Sequence, residues 1–325
     1  MKIGTLKIDG QEVAVMRGTD GAPRKLQAVC RAANVEECGT VLEFVRAEIS
    51  AGTLVGAVDS VEAIAGDLDW APPLPNPSKI LGVAFNNKEL MKKAHTDPGV
   101  PNFFLKPPSA LQGCGKPIVV DPEWGAVIPE PEICAVIGKR AKHIKDDQAL
   151  DYVFGFVIHN DVTSHGLKFG KDSIAVTYDS DLARPEFYKW RNLHGDNDTD
   201  AYYVYHTRSK GTDTFGPMGP WITTRDEVID PNDLYVTGWL NDEKFTSDHT
   251  GNYRFSVEEC IAEASRYFTL EPGDMISFGT TGKGAGRFPR GHKSLLLGEE
   301  TGTVSIEIEP LGRLENPIIH KKGGA

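Results

Sequence analysis

The run Ile128-Pro129-Glu130-Pro131-Glu132-Ile133 sets two carboxylates two residues apart between prolines. A residue that precedes proline is driven into extended backbone. In an extended chain, side chains two apart point the same way. Glu130 and Glu132 are therefore expected to present both carboxylates to one side. Two like charges held that close repel unless a cation or a proton sits between them. A third carboxylate, Asp161, follows the apolar run Phe154-Gly155-Phe156-Val157-Ile158-His159 and Asn160. It can serve as a turn residue or as a third ligand. Three carboxylates completed by water suit a hard cation, Mg²⁺ or else Mn²⁺ or Ca²⁺. The other Glu-x-Glu pair, Glu307-Ile308-Glu309, reads as the wet face of an alternating strand. Gly279-Thr280-Thr281-Gly282-Lys283-Gly284 is not a phosphate loop, because Lys283 is followed by glycine and no helix is evident after it.

The elements that must hold these groups are mostly strands. Lys2 to Ile8, the turn Asp9-Gly10, and Glu12 to Arg17 read as a hairpin. Leu42 to Ile49 reads as a short amphipathic helix. The proline-rich stretch Trp70 to Pro77 holds the chain extended, which suits a junction. It places a small β-rich domain over residues 1–74 and a large domain over 75–325. Strands are expected at Ile80–Phe85, Phe103–Leu105, Ile133–Ile137, Phe154–His159, Asp274–Phe278 and Val304–Ile308. One helix is announced by the capping box Ser256-Val257-Glu258-Glu259, with Ile261, Ala264, Ser265 and Phe268 on one face. The segment from Gly170 to His206 is long and carries Tyr178, Tyr188, Trp190, Tyr202, Tyr203 and Tyr205, which suggests a pocket wall or a dimer contact.

Bulk properties narrow the partners. The chain has 325 residues, 40% hydrophobic and 25% charged, the make-up of a globular protein with an ordinary core. A net charge of −11 without a basic run argues against nucleic acid and against anionic membranes. No apolar stretch approaches the ~20 residues of a membrane helix. The five cysteines are scattered, with no CxxC pair, and read as free thiols in a reducing cytoplasm.

Further segments complete an ordered set. Val136-Ile137-Gly138 and Ala149-Leu150-Asp151-Tyr152-Val153-Phe154-Gly155 lie between Glu130-Pro131-Glu132 and Asn160-Asp161. Lys210-Gly211-Thr212-Asp213-Thr214-Phe215-Gly216-Pro217-Met218-Gly219-Pro220-Trp221 comes next. Pro272-Gly273-Asp274, Gly279-Thr280-Thr281 and Gly312-Arg313-Leu314-Glu315-Asn316-Pro317 follow. From about Pro75 to Pro317 this order resembles the fumarylacetoacetate hydrolase family. The resemblance implies an α+β, β-rich fold, a mixed β-sheet roll or sandwich beside the small first domain. It implies a metal on Glu130, Glu132 and Asp161, with Lys210 and Thr280 holding the substrate and Lys210 stabilising an enolate. Phe85 and Lys168 are added as expected substrate contacts, and homodimers are common in the family.

The sequence departs from the family's pattern in two places. Asn-Tyr-x-x-His, with a glutamate three residues on, is the family's usual water-activating element. Here Ala84 and Phe85 take the first two positions, Lys88 the histidine's and Met91 the glutamate's. His165 stands where an arginine is usual. Lys88, His95 and His165 are thus the candidate bases. The expected activity is metal-dependent hydrolysis of a C–C bond in a 1,3-dioxo acid such as an acylpyruvate. The alternatives are dehydration of a 2-oxo-3-deoxy sugar acid, isomerisation or decarboxylation of an oxo-acid, or a metal-binding protein without turnover.

Overall fold

The Pro131–Ile137 strand is buried along its whole length, so it must lie inside the molecule with a core on each face. Its alternation divides the two cores. Ile133, Ala135 and Ile137 enter one; Cys134 and Val136 enter the other. Ile133, Ile137 and Val136 each contribute about 1.5–3 kcal/mol by leaving water. The computed structural model describes residues 1–92, 94, 97–177 and 200–321.

This strand pairs antiparallel with Val153–Asn160 on one side and with Met275–Ser277 on the other. They form the middle of a nine-stranded mixed sheet. Beyond Val153–Asn160 lie Ile222–Thr224, Lys2–Ile8, Gln11–Arg17 and Pro23–Lys25; beyond Met275–Ser277 lie Ile80–Ala84 and the edge strand Asn102–Lys106. Met275–Ser277 runs parallel to Ile80–Ala84. A second sheet joins Glu243–His249, Tyr235–Leu240, Thr303–Ile308, Gly312–His320 and Ile118–Val120 in that order. The Ile133 face packs against this second sheet, through Val236, Ile306 and Ile308, and against the helix Val257–Tyr267. That helix carries the expected capping box: Ser256 Oγ accepts from Glu259 N at 3.2 Å and Glu259 Oε2 accepts from Ser256 N at 2.7 Å.

The opposite face is covered by three short helices, Leu26–Ala32, Val41–Arg46 and Ala51–Val58. The second of them ends at Arg46, short of the expected Ile49. Glu48 adopts a positive φ of 50°, which a helix cannot continue through. The sheet and this core run across the expected boundary at residue 74, since Lys2–Ile8 pairs with Ile222–Thr224 and Ile3 and Met16 pack with Val136 and Val157. We therefore propose 1–74 and 75–325 as sequence units that share one core. Ser173–Thr177 and Asp200–Val204 pair as a two-stranded ribbon. Residues 178–199, with Tyr178, Tyr188 and Trp190, lie outside the described residues.

Candidate active site

Strand register brings the carboxylates together. Asn160 lies opposite Pro131 and His159 opposite Glu132, so Asp161 leaves its strand beside Glu130. Two bonds lock this corner. Asp161 N donates to the Glu130 carbonyl at 2.9 Å, and Glu130 N donates to Asn160 Oδ1 at 2.9 Å. As a result one oxygen from each of Glu130, Glu132 and Asp161 falls within 4.8 Å of the others.

Each carboxylate has its own set of donors. The Lys210 ammonium, on the short helix Thr207–Gly211, donates to Glu130 Oε2 and to Asp161 Oδ2. Lys106 Nζ donates to Asp161 Oδ1 at 2.8 Å, and Thr163 Oγ1 to Glu130 Oε2 at 3.0 Å. Glu132 Oε2 accepts from Ser277 Oγ at 2.6 Å and from Gly279 N at 3.1 Å. Gly279 can turn its N–H inward because it adopts φ 99°, a conformation side chains disfavour. Behind Ser277, His159 Nδ1 lies 2.8 Å from the same hydroxyl. With Glu132 ionised, that hydroxyl's single hydrogen goes to the carboxylate. His159 Nδ1 must then carry a hydrogen and Nε2 is left bare.

The electrostatics separate the three acids. Burial raises the Glu132 pKa, and the Asp161 and Glu130 charges raise it further, well above the carboxylate range. Burial also opposes the Asp161 charge, but Lys106 and Lys210 outweigh it and hold that carboxyl below its usual value. Glu130 is held down against burial by Lys210. Burial likewise opposes the Lys210 charge, yet Asp161, Glu130 and Glu132 keep the ammonium's pKa above normal. Burial pushes His159 down to about 3, and pushes His206 and His292 down to about 4. His165 is lowered for the same reason. All four imidazoles are thus neutral near pH 7.

A cavity of about 240 Å³ opens onto this cluster. The three carboxylates and Lys210 line it, with Thr280, Phe85, His165 and Lys168 around them. Thr280 Oγ1 and both ring nitrogens of His292 are buried without a hydrogen-bond partner. The donor set fits a hard divalent cation, being all oxygen, three-fold acidic and close-set.

The family model of the fumarylacetoacetate (FAA) hydrolase C-terminal domain matches residues 79–319. The chain belongs to the fumarylacetoacetate hydrolase family. An uncharacterised protein of Pyrococcus abyssi is 33% identical over 244 residues, 75% of this chain and 91% of that one. The mitochondrial oxaloacetate tautomerase FAHD2A of Bos taurus is 31% identical over 254 residues, 78% of this chain and 70% of that protein. The structure of maleylpyruvate hydrolase from Sphingobium sp. SYK-6 in complex with manganese(II) ion and pyruvate shares the fold. Its TM-score is 0.71 at 24% identity, covering 99% of this chain and 100% of that chain. Enzymes of the fumarylacetoacetate hydrolase family thus include hydrolases, isomerases and tautomerases.

Within that family framework most of the expected residues converge. Glu130, Glu132, Asp161, Lys210, Thr280, His165, Lys168 and Phe85 all line the same cavity. Phe85 stands at its mouth with φ 54°, where the chain turns out of the strand Ile80–Ala84. Lys88 does not converge: it is exposed, and its Nζ donates to the Gly251 carbonyl at 3.1 Å. The cause is local. Asn87 caps the helix Lys88–Met91, with Oδ1 accepting from Glu89 N at 2.9 Å, and Lys88 leaves that turn on its outer side. His95 lies outside the described residues. Among the described residues, no helix is long and apolar enough to cross a membrane. The sequence reading missed Lys106, Ser277, His206 and His292. The one signal for Lys106 is a lysine closing the apolar run Phe103-Phe104-Leu105 just before Pro107-Pro108.

Proposed function

We propose that this protein is a divalent-metal-dependent enzyme that enolises a small 2-oxo acid. The observation that carries this reading is the close set of Glu130, Glu132 and Asp161 with Lys210 in the wall of one cavity. Glu130, Glu132 and Asp161 would hold the cation, Mg²⁺ or Mn²⁺. Bound there, it would supply Lewis-acid polarisation of the substrate's oxo and carboxylate oxygens. Lys210 adds a fixed positive charge beside the oxygen on which enolate charge develops. Thr280 offers an unpartnered hydroxyl to the substrate's carboxylate. Phe85 and Lys168 border the substrate's far end. His165, neutral and half-buried in the cavity wall, takes the proton from the carbon next to the oxo group and delivers it to the enolate oxygen, and the reverse transfer restores the keto form.

The net reaction we favour is keto–enol tautomerisation or a related isomerisation. None of the described cavity histidines, His165, His206 and His292, is hydrogen-bonded to a carboxylate that would orient it toward water. Proton transfer needs a single positioned base, whereas hydrolysis needs an activated water as well. The oxaloacetate tautomerase among the relatives supports the same choice. Hydrolytic cleavage of a 1,3-dioxo acid is the second reading, supported by the hydrolase of like fold. Mass spectrometry on an oxaloacetate and acylpyruvate panel with Mn²⁺ separates them. A tautomerase leaves the substrate mass unchanged while its enol absorbance decays; a hydrolase yields two acids with the mass of one water added. Assembly as a homodimer is part of the proposal, and light scattering checks it.

A further inference from the structure

Lys106 closes the edge strand Asn102–Lys106, opposite Ile80, and Pro107 and Pro108 follow it at once. Its side chain is 1% exposed. An ammonium at that depth is costly unless its hydrogens are used. Two partners use them. Asp161 Oδ1 accepts at 2.8 Å and the Lys210 carbonyl accepts at 2.5 Å. These partners lie 55 and 104 residues away in sequence, so one side chain ties two distant parts of the site.

The path of this side chain is built into its surroundings. A Cβ on Gly216 would come within 3.0 Å of Lys106 Cε and 3.1 Å of the Ala110 carbonyl, so glycine there clears the lysine's stem. A Cβ on Gly211 would meet the Pro107 ring at 3.0 Å, so the residue after Lys210 rests directly on the residue after Lys106. The packed stem and the two acceptors thus fix the ammonium in place.

We propose that Lys106 is a positioning residue that sets both Asp161 as a metal ligand and Lys210 as the substrate-facing cation. The proposal rests on the reading that the three carboxylates hold a divalent cation. Two consequences follow from the geometry. Asp161 Oδ1 is committed to Lys106, so Oδ2 is the oxygen this carboxylate offers to other partners. The Lys210 backbone is held at its carbonyl, which sets where its own ammonium can reach. Lys106 therefore couples the strength of metal binding to the placement of Lys210, although it touches neither substrate nor metal.

The test is calorimetric titration of the chelator-stripped full-length protein with MnCl₂, with steady-state kinetics on the turned-over oxo acid. It compares wild type, Glu132→Gln, Lys106→Met and Gly216→Ala. Methionine keeps the stem and removes the ammonium. Lys106→Met is expected to weaken Mn²⁺ binding roughly 10- to 100-fold, the usual cost of losing a group that orients a ligand. At saturating Mn²⁺ it should lower kcat more than it changes KM. A Lys106→Met protein with wild-type Mn²⁺ affinity and kcat overturns the proposal and leaves Lys106 a structural ion pair. If wild type itself binds no Mn²⁺, or Glu132→Gln binds it as well as wild type does, the metal reading fails and the proposal falls with it. Should Lys106→Met not fold, Gly216→Ala decides, since it keeps the ammonium and displaces its stem. Weaker Mn²⁺ binding by Gly216→Ala supports the positioning role, and wild-type binding and kcat overturn it.

Discussion

Lys210 and Asp161 form a buried ion pair across 49 residues of sequence, the ammonium donating to Asp161 Oδ2. The pair joins a cation on a short helix to a carboxylate at the end of a central strand. Lys210 also reaches Glu130, so its charge sits where the substrate's oxygens would meet the carboxylate cluster.

Lys210→Met should therefore act on the chemical step. Removing one fixed donor from the place where charge develops costs roughly 100- to 1,000-fold in kcat. KM should change much less. Steady-state kinetics at saturating Mn²⁺ check this; an unchanged kcat with a raised KM would assign Lys210 to binding alone.

Of the three acids Glu132 alone is pushed upward in pKa, by burial and by the Asp161 and Glu130 charges, which a divalent cation would reverse. Metal binding should stabilise wild type by about 3 kcal/mol when Mn²⁺ exceeds its dissociation constant 100-fold. Thermal unfolding with and without chelator reads this shift. Glu132→Gln should abolish it, and a variant that keeps the full shift would take Glu132 out of the ligand set.

Ser277 links Glu132 to His159 through bonds of 2.6 and 2.8 Å. Ser277→Ala leaves the carboxylate one donor short. Mn²⁺ affinity should fall roughly 10- to 100-fold, and stability by about 1–3 kcal/mol. Calorimetry and urea unfolding on the same preparation measure both, and loss of stability alone would make Ser277 a packing residue.

Much of the site was legible because it is local. The prolines around Glu130 dictate extended backbone, and register follows from the buried strands on either side. The first hairpin was legible for a similar reason. Asp9 and Gly10 both take positive φ, 51° and 78°, as a two-residue turn between strands requires. Lys106 escaped because its partners are far away in sequence and no period marks it. His292 escaped because it sits in the short 3₁₀ helix Gly291–Ser294, which no sequence period marks, and only tertiary packing carries it to the cavity. The helices Leu26–Ala32 and Ala51–Val58 escaped because neither has a side-chain N-cap bond to announce it. Lys88 was misplaced because its spacing fitted the family's histidine, while the Asn87 cap turns it outward.

His292 also gives the fold a pH dependence. Burial depresses its folded pKa to about 4, below the ordinary value of about 6.5. The unfolded chain therefore takes up the proton first as pH falls. The stability involved is intact above pH about 6.5 and is lost as pH drops through about 4, a change of about 3 kcal/mol. His292→Asn should flatten the urea-unfolding profile of the metal-free protein across that window. Parallel wild-type and variant profiles would contradict the burial of a neutral imidazole.

Enolisation is the step on which both readings of the function depend, and hydrogen exchange reports it whatever the net product. The metal-stripped protein, Mn²⁺ and a 2-oxo acid such as oxaloacetate would be incubated in D₂O. Deuterium entering the carbon next to the oxo group would be followed by NMR. The account predicts exchange faster than Mn²⁺ and buffer alone produce, lost on chelation and in Glu132→Gln. Exchange no faster than the protein-free control, or equally fast in Glu132→Gln, would contradict it.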